Sequence, residues 1–141
     1  MIDAEPDPKS VVREFVARLN TGADAWALLS ETAVVTVNGT TPLSGRYPGM
    51  TLIRGILADS ARNVVASLSV GIDTLIGTGA RVAALLSLSG RTVAGTPFNT
   101  EGRLCGCVFA VNAGVIDEVI LFPDTSLIEI ALYGRRYVPD A

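Results

Sequence analysis

In the N-terminal half of the chain, apolar side chains recur at the i, i+3, i+4 spacing of helices. The first helical pattern follows Asp7 and Pro8, a favourable helix cap and first-turn residue, and it stops at Gly22. A second, shorter helix is predicted after Asp24, and a third is predicted to open at Pro48. The apolar face of the first helix consists of Val11, Val12, Phe15, Val16 and Leu19.

Strand patterns dominate the rest of the chain. They occur at residues 33–37, between the second and third helices, and then at residues 67–72, 82–88, 98–111 and 115–122. Gly102 and Gly106 interrupt the strand at 98–111 and are expected to bend it or form a bulge. A short amphipathic helix over residues 127–133 follows the last strand.

This order of elements predicts an α+β fold. A curved antiparallel sheet would wrap around the N-terminal helices and leave a conical cavity, a common place for a ligand. The 141 residues fit one domain, with a flexible N-terminal segment at 1–7 and a single domain at 8–141. Hydrophobic residues make up 49% of the chain and the mean hydropathy is +0.44. So many apolar side chains require a large core, an apolar cavity or a subunit interface.

Charge and hydropathy exclude several partners. The net charge is −3, and the eleven Lys and Arg residues are scattered rather than gathered in a basic stripe, so we expect no nucleic-acid binding. No apolar run reaches the roughly 18 residues of a membrane helix, so we expect no membrane insertion. The N-terminus lacks a basic start and an apolar run, which predicts a cytoplasmic protein without a secretory signal.

The chain has no histidine, so any proton transfer must use Asp, Glu, Tyr, Lys or Cys. Cys105 and Cys107 are separated by one residue on a predicted strand, which puts their side chains on one face about 7 Å apart. That spacing does not suit a disulfide, and no other cysteine completes a zinc site. We therefore expect two small thiols in the core or cavity wall, no metal and no cofactor.

Asp124 follows Phe122 and Pro123 at the end of the last strand and precedes the terminal helix. Two interpretations remain open. As a helix cap, its carboxylate would accept a hydrogen bond from the amide of Ser126 or Leu127. As a pocket carboxyl, it would serve as the acid or base of a reaction.

The candidate pocket residues are of three kinds. Large apolar side chains would form both the core and the cavity wall. Tyr47 could close the pocket mouth with its hydroxyl, and Thr36 could donate a hydrogen bond. Glu101 and Arg103 share a strand face with the cysteines, so they form either a polar rim on the cavity or a surface ion pair. The full set is Phe15, Trp26, Thr36, Tyr47, Met50, Ile53, Glu101, Arg103, Cys107, Phe109 and Phe122.

The order of elements resembles the nuclear transport factor two-like superfamily with its cystatin-like fold, which includes ketosteroid isomerase-like and SnoaL-like proteins. The resemblance covers nearly the whole chain. It rests on residues 11–22, on Leu43-Ser44-Gly45, on Asn112-Ala113-Gly114-Val115-Ile116 and on residues 124–128. It implies a cavity between the helices and the concave face of the sheet, and homodimers packed through the sheet.

Within this superfamily, the residues of this chain fit some reaction mechanisms better than others. The resemblance places the functional positions of ketosteroid isomerases at Phe15, near Thr36, and at or beside Cys107. The side chains there are of other types, so that mechanism is not expected. SnoaL-like cyclases place their catalytic aspartate where Asp124 stands. Limonene epoxide hydrolases also do so, with an arginine and a second aspartate that position water. Arg81 or Arg103 could serve as the arginine, but Ala83 and Cys105 stand where the second aspartate would follow two residues later.

Two functions follow as hypotheses. The first is a cofactor-free isomerase, cyclase or lyase that acts on a small apolar carbonyl compound and uses Asp124 as acid or base. The alternative is a non-catalytic domain of the same fold that binds a ligand or assembles as a dimer.

Overall fold

The computed structural model describes residues 6–134. Residues 1–5, which make up most of the predicted flexible segment, and residues 135–141 lie outside the described residues. The helices are α1 (Pro8–Thr21), a 3-10 turn (Ala25–Leu28), α2 (residues 50–62) and α3, a π-helix (Leu127–Leu132) that continues a helical turn at residues 125–126. The strands are β1 (Leu29–Val37), β2 (Gly45–Pro48), β3 (Val65–Thr78), β4 (Arg81–Thr92), β5 (Pro97–Phe98), β6 (Leu104–Asn112) and β7 (Val115–Phe122).

Helix α1 has the predicted start, buried face and end. Pro8 occupies its first turn, and Gly22 ends it in the left-handed conformation with φ of 77°. Asp7 precedes the helix, but its side chain makes no capping hydrogen bond; its backbone carbonyl instead accepts from Val11 N at 3.1 Å. The buried face consists of Val11, Val12, Phe15 and Val16.

Helix α2 changes its winding along its length. It starts as an α-helical turn (Met50–Leu52), continues as a π-helix (Ile53–Ala58) and ends as an α-helix (Asp59–Arg62). Pro48 does not open it as predicted, because that proline belongs to β2, which the sequence pattern did not reveal. The wider π-helical turn, a feature often found at functional sites, includes the buried Leu57 and Ala58.

The strands form one sheet in the order β2-β1-β7-β6-β4-β3, with the short β5 paired to β4. The pairs are antiparallel except β1 with β7, which run parallel. The sequence predicts an antiparallel sheet, but the sheet contains one parallel pair. After the β6–β7 hairpin, the last strand lies beside β1 and runs in the same direction. The α+β class and the curved sheet around the N-terminal helix are confirmed.

The predicted strand at 98–111 is interrupted by a loop at residues 99–103. Asn99 and Gly102 adopt left-handed conformations there, with φ of 50° and 70°, which end β5 and re-aim the chain into β6. Gly106 forms no bulge, because it pairs in regular register with Leu85 of β4 and Phe122 of β7.

The core lies between α1 and the concave face of the curled sheet. Bulges between Val65 and Ser67 and between Ile72 and Thr74 locally disrupt the pairing of β3 with β4 and bend the long strand. The ring of Phe15 packs edge-on against Phe109 of β6, with ring centroids 5.8 Å apart, and against Trp26, at 5.7 Å. These contacts join the helix, the 3-10 turn and the sheet.

Replacing Gly90 with alanine should strongly destabilise the fold. Gly90 has a φ of 155°, and a Cβ atom there would lie 2.0 Å from the backbone oxygen of Ser67. We expect Gly90→Ala to lower the free energy of unfolding by about 2 kcal/mol or more, measured by urea denaturation. Gly55→Ala is the matched control, because nothing lies within 4 Å of a Cβ in that helical position. An equal effect of both changes would contradict the steric argument.

Candidate functional site

A cavity of about 240 Å³ lies between the concave face of the sheet and helices α1, α2 and α3. Strand alternation builds its wall, because every second side chain of a strand points to the same face. Pairs of such side chains come from β1 (Val35, Val37), β3 (Leu68, Val70), β4 (Leu86, Leu88) and β7 (Val119, Leu121). The helices add further apolar side chains, including Val16, Leu19, Leu57, Ala58, Ile128 and Leu132.

Polar side chains reach the cavity where the loop at 99–103 meets the start of α3. Asp124 is partly buried, with 27% of its side chain exposed. Its Oδ1 accepts a hydrogen bond from Leu127 N at 3.2 Å, and its Oδ2 lies 3.3 Å from Nη2 of Arg103. Arg103 also lies 3.6 Å, through Nε, from Oε2 of Glu101. Asp124 therefore caps α3 and also faces the cavity.

The amide of Leu127 and the guanidinium of Arg103 both contact the carboxylate of Asp124, one at each oxygen. Asp124 can therefore cap α3 and face the cavity at the same time. A charged carboxylate in this position can accept hydrogen bonds or a proton from a molecule in the cavity.

Asn99 fixes the loop that carries Arg103, and the sequence reasoning missed it. Its side-chain amide donates to the carbonyls of Leu88, at 2.9 Å, and Arg103, at 3.0 Å, while its Oδ1 accepts from Arg103 N at 2.9 Å. Asparagine tolerates the left-handed conformation found here better than most residues. The spacing Asn99…Gly102-Arg103 was a detectable turn signal, but the contact with Leu88 depends on the tertiary structure.

Both cysteines are free and face the cavity. Burial, with a smaller contribution from Cys105, raises the pKa of Cys107 to about 12. Burial and the charge of Asp124 raise the pKa of Cys105. Both thiols are therefore protonated near neutral pH and form part of the wall rather than nucleophiles.

The structure brings together about half of the predicted site residues. Asp124 lines the cavity together with Phe15, Trp26, Arg103, Cys107 and Phe109. The loop at 99–103, rather than a continuous strand, brings Arg103 to the rim. Glu101 lies in the same loop but is exposed, and it reaches the site only through its ion pair with Arg103.

Besides Glu101, five predicted pocket residues do not line the cavity. Thr36 points away because it alternates with Val35 and Val37, and Phe122 points away because it follows Leu121. Tyr47 does not close the mouth, because its hydroxyl donates to the carbonyl of Leu43 at 2.8 Å; burial raises its pKa. Ile53 is fully buried in the core, and Met50 is partly buried and packs against the core.

The described residues contain no group of His, Cys, Asp or Glu side chains that could hold a metal ion. Within residues 6–134, no helix has both the length and the apolar character needed to cross a membrane.

No protein-family model and no curated protein matches the chain. Solved structures do match it. An NTF2-like protein of unknown function from Burkholderia pseudomallei is 17% identical, with a TM-score of 0.74, over 90% of this chain and 98% of that protein. A protein of unknown function with a cystatin-like fold from Xanthomonas campestris is 21% identical, with a TM-score of 0.75, over 92% of this chain and 100% of that protein.

A third similar structure contains a small molecule. It is a protein with a ketosteroid isomerase-like fold from Catenulispora acidiphila, in complex with trimethylamine. It is 16% identical, with a TM-score of 0.67, over 96% of this chain and 100% of that protein. Because these similarities extend over nearly the whole chain, they confirm that this protein has the nuclear transport factor two-like (NTF2-like), cystatin-like fold.

Proposed function

We propose that the protein binds a small, predominantly apolar molecule in the cavity. The observation that carries this proposal is a space of about 240 Å³ whose wall is apolar except at the end formed by Arg103 and Asp124. Binding sites for small molecules have this composition, with a few polar groups that orient the ligand. The structure from Catenulispora acidiphila supports the proposal, because that protein of the same fold holds a small molecule.

Filling the cavity should weaken binding of an apolar probe. Ala61 lines the cavity from α2, so Ala61→Phe places a ring in the proposed binding space. We expect this change to weaken binding of N-phenyl-1-naphthylamine about tenfold or more, measured by the increase in probe fluorescence.

Ala66→Phe is the matched control for this experiment, because Ala66 is exposed and lies outside the cavity. Equal probe binding by both variants, or no binding by the unmodified protein, would contradict binding in the cavity.

A second candidate function is proton transfer to and from a carbonyl compound, with Asp124 as the general base. It is favoured by one observation: Asp124 faces the cavity, its Oδ1 accepts a hydrogen bond from Leu127 N, and its Oδ2 forms an ion pair with Arg103. Asp124 would take a proton from the carbon next to the carbonyl and return it elsewhere. Arg103 would stabilise the negative charge that develops on the carbonyl oxygen.

Exchange of carbon-bound protons tests this activity directly. In D₂O, the protein should accelerate loss of the α-proton signals of 2-decalone, followed by NMR. Asp124→Asn should slow this exchange about 100-fold or more, since it removes the base. Exchange at the rate of buffer alone, or unchanged exchange in the variant, would exclude this role for Asp124.

The capping role of Asp124 has a separate signature. Asparagine is as good a helix cap as aspartate, whereas alanine costs about 1 kcal/mol. Asp124→Ala should therefore lower stability in a thermal melt and Asp124→Asn should not. Loss of exchange in Asp124→Asn with unchanged stability then separates catalysis from capping.

We also propose that two copies pair through the convex face of the sheet. Leu85, Leu104 and Phe122 are 42%, 45% and 50% exposed there, which is unusual for large apolar side chains on a sheet face. Leu85 and Phe122 flank Gly106 in register, so the apolar surface is continuous across β4, β6 and β7.

A charge in this face should prevent pairing. We expect Leu85→Glu to convert the dimer to a monomer, measured by size-exclusion chromatography with light scattering, because a buried unpaired carboxylate is costly. Leu52→Glu is the matched control, since Leu52 is 40% exposed on α2, away from the sheet. A monomeric unmodified protein, or a dimeric Leu85→Glu variant, would contradict this arrangement.

A further inference from the structure

We propose that the cavity selects an uncharged apolar molecule that carries a hydroxyl group, and that it rejects carboxylates. This inference rests on the proposed binding function and specifies the ligand of the same site. It comes from the balance of charges at the polar end of the cavity.

An arginine at the end of an apolar cavity ordinarily attracts an anion. Here the guanidinium of Arg103 already faces two carboxylates, Asp124 at 3.3 Å and Glu101 at 3.6 Å. The three side chains together carry one negative charge. A carboxylate ligand would therefore meet a compensated cation and an additional anion.

The other side chains that line the cavity provide no favourable partner for an anion. Among the described residues that line it, Arg103 is the one basic side chain. The side-chain amide of Asn99 also lines the cavity, but it is already bonded to two backbone carbonyls. An ionised carboxylate that enters the apolar part of the cavity would lose its hydration without gaining equivalent partners, which disfavours its entry.

The negative charge of Asp124 also acts within the cavity wall. The pKa of the Cys105 thiol is raised mainly by burial, and the nearby charge of Asp124 raises it further. The potential that disfavours a thiolate at Cys105 would disfavour a ligand carboxylate at the same place.

A hydroxyl group matches this end of the cavity. It has one donor and can accept two hydrogen bonds. It can donate to the carboxylate of Asp124 and accept from Arg103 without adding charge. Asn99 holds both the backbone amide and the carbonyl of Arg103, so the base of that side chain is fixed relative to α3.

Three compounds with one apolar cage and different polar groups test the inference: adamantane, 1-adamantanol and 1-adamantanecarboxylate. Trp26 is the single tryptophan of the chain and lines the cavity, so its fluorescence reports binding of each. At pH 7 we expect 1-adamantanol to bind about tenfold more tightly than 1-adamantanecarboxylate. It should also bind more tightly than adamantane, because it completes hydrogen bonds at Asp124 and Arg103.

Removing both carboxylates should reverse the preference. In the Glu101→Gln/Asp124→Asn variant, Arg103 has no acidic partner among the three side chains, and asparagine still caps α3. We expect this variant to bind 1-adamantanecarboxylate more tightly than 1-adamantanol. The control for net charge is Glu31→Gln/Asp73→Asn, which removes two negative charges from exposed residues of β1 and β3 that do not line the cavity. It should keep the original order of affinities.

The outcomes separate the two proposals. If the unmodified protein binds the carboxylate at least as tightly as the alcohol, or if the double variant keeps the original order, the inferred ligand class is wrong. Tightest binding of adamantane would show that the polar end does not select a hydroxyl group, and would also overturn the inference. If none of the three compounds changes the fluorescence of Trp26, binding in the cavity is itself contradicted.

Discussion

The sheet is longer than the helix that packs on it, and this mismatch creates the cavity. Strand β3 and helix α1 both contain 14 residues. The rise per residue is about 3.3 Å in a strand and 1.5 Å in a helix, so the strand is roughly twice as long. Phe15 anchors α1 at one place on the concave face, against Phe109 and Trp26. The strands beyond that contact face α2, α3 and the cavity.

The remaining features of the site depend on how this open end is closed. Helix α3 and the loop at residues 99–103 meet there, and the end of a helix brings unpaired backbone amides with it. Asp124 satisfies the amide of Leu127 and therefore lies at the rim of the cavity. The charge that caps the helix then attracts Arg103, whose loop is held by Asn99. The same carboxylate thus caps the helix and lines the cavity.

Sequence periodicity predicts which residues share a face, but a distant family resemblance does not fix single positions along a strand. Thr36 was assigned to the cavity, whereas its neighbours Val35 and Val37 line it. Phe122 is likewise a predicted pocket residue, whereas its neighbour Leu121 lines the cavity. Because side chains alternate along a strand, an error of one residue moves a side chain to the opposite face. The separation of the cysteines predicts that they share a strand face, and the family resemblance favours the concave one; both line the cavity.

Local chemistry in the sequence determined the buried face of α1, its end at Gly22, the α+β order of elements and the position of Asp124 between the last strand and α3. Each of these depends on residues within a few positions of one another, so periodicity and capping rules suffice. Only the tertiary structure decided that Arg103 pairs with Asp124, that Asn99 reaches the carbonyl of Leu88, and that the concave face stays partly unfilled. These contacts join residues that are distant in the chain, and the curl of the sheet, which no local pattern encodes, brings them together.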